Sequence, residues 1–190
     1  KQVNIHEGEF LHNKGFQGKG IKIAVLDAGF FKYQNIAAFD SLKINGQLKM
    51  TWDFIDNNAS VNEDDAHGMQ CLSVLAANLP GAFIGTAPAS SYYLFRTEDV
   101  ASEFPVEEQN WLAAAEKADS IGVQLISSSL GYNTFDDASF NYTYADMNGK
   151  KAMITRGATM ASQKGMIVMN SAGNSGNSAW KYIIAPADAL

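Results

Sequence analysis

The chain holds 190 residues, 46% hydrophobic and 18% charged, the size and apolar content of one globular domain, so the whole span 1–190 is read as a single unit. Its 20 acidic residues outnumber 14 basic ones for a net charge of −6, and no Lys/Arg-rich run interrupts them, which argues against a nucleic-acid partner. Cys71, the single cysteine, excludes an internal disulfide; no run reaches the roughly 18–20 apolar residues that span a bilayer, and residues 1–10 lack a signal peptide's apolar core.

Ile5, Phe10 and Leu11 predict a short helix over 5–13, and the glycines of 15–20 a turn. Residues 21–26 (IKIAVL) are β-branched and apolar, as in a strand buried on both faces of a parallel sheet, with Asp27 at its C-terminal end. A second strand is expected over 49–55, a polar loop with Glu63, Asp64 and Asp65 after it, and a helix over 67–77. Residues 91–96 (SYYLFR) read as a strand. The segment 107–118 reads as a helix, with Glu107 and Glu108 at its start and Lys117 near its end complementing the helix dipole. Strands follow at 123–128 and 166–169, with a helix between them over about 144–164 in spite of Gly149 and Gly157. This alternation predicts an α/β fold, a doubly wound and mostly parallel sheet with helices on both faces.

In open α/β sheets the ligand crevice forms at the carboxyl ends of the strands. Asp27, Ser129 and Asn174 all fall at or just beyond such ends. A serine hydrolase needs a base for the hydroxyl proton, a carboxylate to fix that base's tautomer, and a donor for the oxyanion. Asp27, His67 and Asn174 are residues of those types. Each alone has a plainer reading: Asp27 as a turn or capping carboxylate, His67 as a first-turn helix residue, Asn174 as a turn residue among glycines. Cys71, four residues after His67, reads as a buried, inert thiol.

Val25-Leu26-Asp27-Ala28-Gly29 resembles the aspartate motif of the subtilisin-like serine proteases, His67-Gly68 their histidine motif, and Ser171-Ala172-Gly173-Asn174-Ser175-Gly176 their oxyanion segment. Gly85-Thr86-Ala87-Pro88 and the Ser129-Leu130-Gly131 end of a strand fit the same order, so the resemblance covers about 18–185. It implies that Asp27 orients His67, that His67 acts as general base and then acid, and that Asn174 donates to the oxyanion. It further implies that Ser129, Leu130 and Gly131 pair their backbone with an extended peptide. The polypeptide substrate and a secreted or cell-envelope location follow from the resemblance alone.

Departures from the pattern are specific. Met69 and Gln70 follow His67-Gly68 where the family has a threonine and a second histidine. The family's serine lies in a Gly-Thr-Ser motif ahead of a proline, beyond the asparagine segment, and no such motif precedes Leu190. Gly157-Ala158-Thr159-Met160-Ala161-Ser162 imitates its spelling but precedes Asn174 and falls within a predicted helix. The expectation is therefore the N-terminal portion of a peptidase domain, incomplete at its C-terminus and inactive alone. Its apolar sheet elements at 166–170 and 183–184 would seek a complementary fragment carrying the serine, or another copy. The alternative is a noncatalytic peptide-binding module or inactive fragment. No cofactor is required; calcium, carried by many relatives, could use only the acidic loop at 63–65, since 78–84 has no carboxylate. A third reading, a nucleotide-binding α/β protein, is opposed by the glycines of 15–20 preceding the first strand and by Asp27-Ala28-Gly29-Phe30 lacking the GxGxxG pattern.

Overall fold

The computed structural model describes residues 2–62 and 65–190. Two short helices, α1 (Gln2–Ile5) and α2 (Gly8–Asn13), replace the single expected one, because Glu7 between them takes a left-handed φ of 54°. Strand β1 (Lys22–Asp27) is followed by two 3₁₀ turns and a short helix α3 (Asp40–Ile44), none of which the sequence announced. Then come β2 (Leu48–Asp53), helix α4 (His67–Ala76), and β3 (Asn78–Leu79) paired antiparallel with β4 (Phe83–Ile84). Strand β5 (Ser91–Arg96), helix α5 (Val106–Ser120), β6 (Leu125–Ser128), α6 (Met153–Gln163) and β7 (Ile167–Asn170) complete the order.

The five long strands run parallel in the order β2-β5-β1-β6-β7. Right-handed crossover rules favour helices on both faces of such a sheet. One face carries Ala24, Leu26, Phe95 and Ile126 against α5 and α6, through Trp111, Ala114, Ala118, Ala158 and Ala161. The other face carries Ile23, Val25, Tyr92 and Leu94 against Leu72 and Ala76 of α4 and Leu42 of α3. Both faces of β1 are thus sealed, which is why 21–26 reads as an unbroken apolar run.

Two expectations need correction. The helix predicted over 144–164 is a 3₁₀ turn at Tyr144–Asp146, capped by Asp146 on the Thr143 N–H, and then α6 alone; Gly149 between them sits at φ 77°, outside helical space. The 183–184 segment is no interior strand: Ala185 makes an isolated antiparallel bridge to Tyr132, and β7 forms the sheet's edge.

Candidate active site

β1 delivers Asp27 as its last residue, completely buried. Helix α4 begins at His67 directly over it, and the approach is closer than any side chain at residue 68 permits. A Cβ on Gly68 would lie 2.5 Å from the Gly29 carbonyl oxygen and 2.8 Å from the Asp27 Cβ. With hydrogen there, His67 Nδ1 reaches Asp27 Oδ1 at 2.7 Å. Ala28 N–H donates to the same oxygen at 2.9 Å, and Asp65 Oδ1 accepts the His67 backbone N–H at 2.5 Å.

A carboxylate only accepts, so Nδ1 donates and Nε2 is the basic nitrogen. No described residue bonds to Nε2. The bond to Asp27 is the largest cause raising the imidazole pKa above 6.5, and the charges of Asp27, Asp65 and Glu98 add to it against partial burial. Burial pushes the Asp27 carboxyl up, and the His67 and Ala28 bonds oppose that push.

His67, Ser129, Leu130, Gly131 and Asn174 line one cleft of about 390 Å³, with Asp27 bonded beneath it. Ser129-Leu130-Gly131 leave β6 just past its last paired residue. Asn170 Nδ2 clamps the Leu130 carbonyl at 3.0 Å, while neither the Leu130 N–H nor the Gly131 backbone has a partner among the described residues. That is an unpaired edge open to an extended chain. Asn174 precedes a 3₁₀ turn at Ser175–Asn177, and its exposed amide makes no hydrogen bond among the described residues. Ile184 packs against both Gly131 and Gly173, so the two cleft-lining glycines share one buried wall. Thr159 lies on α6, where it accepts a bond from the Leu190 N–H at 3.3 Å, apart from the cleft.

Two neighbours, Arg96 and Glu98, carried no site reading from the sequence, and Cys71, read there as a buried thiol, is half-buried beside the imidazole. Arg96 aligns with Asp27 on one side and Asp53 on the other, donates to Asp53 Oδ2 at 2.7 Å, and holds the Ala28 carbonyl at 3.2 Å. The signal was three strands each ending in a charged residue. Cys71 sits beneath the imidazole, 3.8 Å from Nδ1 and 3.3 Å from the Ser129 hydroxyl, and burial pushes its thiol up to about 11. Glu98 lines the cleft two residues beyond β5. Donor atoms of Asp27, His67 and Cys71 lie within 4.8 Å of one another, a mixed set that suits zinc better than calcium, though a metal would displace the bond that orients the imidazole. Of the acidic loop, Glu63 and Asp64 lie outside the described residues, and Asp65 is engaged by the His67 N–H. The 78–84 segment is a hairpin without a carboxylate, so that segment does not fit a calcium cage.

The sequence model described as "Subtilase family" matches residues 18–189. Thermitase of Thermoactinomyces vulgaris is 28% identical over 171 residues, covering 87% of this chain and 52% of that protein. Subtilisin Savinase of Lederbergia lenta is 24% identical over 180 residues, covering 94% and 57%. The minor extracellular protease Vpr of Bacillus subtilis (strain 168) is 28% identical over 176 residues, covering 87% and 19%. Among solved structures, MycP1 with its N-terminal propeptide removed superposes with a TM-score of 0.64 at 20% identity, over 92% of this chain and 48% of that one. A lanthipeptide protease gives 0.65 at 18% identity, over 100% and 50%. The chain thus spans about half the length of thermitase, Savinase and both structural neighbours.

Proposed function

The chain belongs to the subtilase family, and from that premise we propose that it supplies the aspartate, histidine and oxyanion asparagine of a serine endopeptidase. The observation that carries this reading is the 2.7 Å bond between His67 Nδ1 and Asp27 Oδ1, made at the wall of a cleft that also holds Asn174 and the unpaired Gly131 edge. Substrate polypeptide lies along 129–131 as an added strand. His67 Nε2 takes the proton of an attacking serine and returns it to the leaving amine, while Asp27 holds the tautomer and stabilises the imidazolium. The Asn174 amide donates to the oxyanion as charge develops.

The serine comes from polypeptide beyond these 190 residues, in the same or a separate chain. The Ser129 hydroxyl lies 3.3 Å from the Cys71 sulfur, itself 3.8 Å from His67 Nδ1. Among the described residues no hydroxyl bonds to Nε2, the nitrogen that must accept the proton. The 190-residue chain alone is inactive in this reading, and the assembled protein acts outside the cell or in its envelope.

A fluorophosphonate probe applied to the complete gene product, with native and denatured intact mass in parallel, tests the proposal. Label is expected on a serine outside these 190 residues, and it is lost in His67→Ala. Asn174→Ala should lower turnover by about 10²–10³-fold, the share one oxyanion donor contributes in a subtilisin. If nothing labels while peptides still bind, the protein is a noncatalytic peptide-binding module.

A further inference from the structure

Glu98 enters the cleft from the segment that leaves β5, a strand locked to β1 by the Asp27↔Arg96 register, so its position relative to the Asp27–His67 pair is set by the sheet. Two carboxylates, Asp65 and Glu98, line the cleft, and among the described residues no lysine or arginine does. Asp65 is bonded to the His67 N–H, whereas Glu98 has no hydrogen bond or ion pair among the described residues. Behind it the charge has the same sign, from Glu107, Glu103 and Asp136. There the Tyr132 hydroxyl, 1% exposed, also lacks a partner, and Glu98 leads the charges that raise its phenol. Buried polar groups are rarely left unpaired unless a ligand or water completes them. Glu98 lies on the wall of an open cleft, with the buried Tyr132 hydroxyl behind it.

We infer that Glu98 is a specificity-determining residue that pairs with a cationic side chain, lysine or arginine, of the peptide held in this cleft. The inference rests on the peptide-binding reading above. A bare metal ion is the poorer occupant, because the three-donor group among the described residues is Asp27–His67–Cys71 and excludes Glu98. A peptide cation brings its own apolar stem, for which Val100, Leu130 and Ile184 along the same cleft supply apolar surface. Burial first, then the charges of Glu107, Asp27 and Asp65, push the Glu98 carboxyl up to about 7, with His67 the one opposing charge. An incoming cation favours the ionised form, so the preference for it strengthens as pH rises through that value.

Quenched fluorescent peptides identical except for arginine, norleucine or glutamate at each position in turn, given to the complete gene product, read this directly. At one position arginine should be preferred over norleucine by about tenfold in kcat/KM, the worth of one charge-assisted contact. Glu98→Gln should cut that ratio to about twofold or less, and Glu98→Lys should turn the preference toward glutamate. Should the variants fail to fold, raising salt from about 0.05 to about 0.5 M must shrink the wild-type ratio. Equal rates for arginine and norleucine at every position, or an unchanged ratio in Glu98→Gln, overturn the inference while leaving the peptidase reading intact. If no peptide is cleaved, that reading fails instead; the same peptides followed by fluorescence anisotropy then decide the inference, an arginine preference lost in Glu98→Gln supporting it and equal binding or none overturning it.

Discussion

At the scale of single residues, the proposed chemistry turns on one proton at His67. Its bond to Asp27 raises the imidazole above 6.5, so the pair's contribution to stability is fully present below 6.5 and is lost as pH rises through the folded value. The proposed catalysis runs the other way, because a general base must be neutral, and activity should climb over the same window. Asp27→Asn removes the accepting carboxylate and should lower the His67 titration point, as followed by the ring Cε1–H resonance in NMR. The stability gap between wild type and this variant should narrow as the solution is made alkaline; a His67 titration unmoved by Asp27→Asn would remove Asp27 from its orienting role. Much of this was readable beforehand, since Asp27, His67 and Asn174 each stand inside a short recognisable string. Glu98 was not, because nothing in a strand-exit glutamate says which wall it reaches until the sheet order is known.

At the scale of elements, the site depends on α4 meeting the end of β1 without a side chain between them. Gly68→Ala would drive a methyl into the Gly29 carbonyl and the Asp27 Cβ, both on rigid backbone, and so must tilt or lift the helix. The expected cost is about 1–3 kcal/mol in denaturant unfolding, as for other overpacked contacts. The same shift should lengthen the Asp27–His67 bond and return the imidazole toward its ordinary value, an effect simple destabilisation would not produce. The strands were legible because burial on both faces leaves an apolar run, as in β1 and β5. The 33–44 turns and the 78–84 hairpin were not, since their two- to five-residue pieces are too short for a periodic pattern. The Asp53–Arg96–Asp27 row was hidden for a different reason: it exists only in the order β2-β5-β1, and a strand's sequence does not name its neighbours.

At the scale of the whole molecule, the two sheet faces are covered unequally. α5 and α6 lie over the face that includes Ile126, and Val168 of β7 packs there. On the opposite face α3 and α4 cover β1 and β5, while Ile167 and Met169 of β7 remain 58% and 59% exposed. Their strand has its pairing groups open on one side, and an apolar, uncharged strand edge is a template for another chain. This edge is open to a further strand. The 190-residue chain by itself should therefore associate, with a light-scattering mass above that of the monomer that grows with concentration. Placing lysines on the bare face, Ile167→Lys with Met169→Lys, should return it to the monomer, because the change adds charge to the edge and leaves Val168 and the α6 contact in place. A wild-type chain that stays monomeric across the concentration range would show that β7 needs no partner.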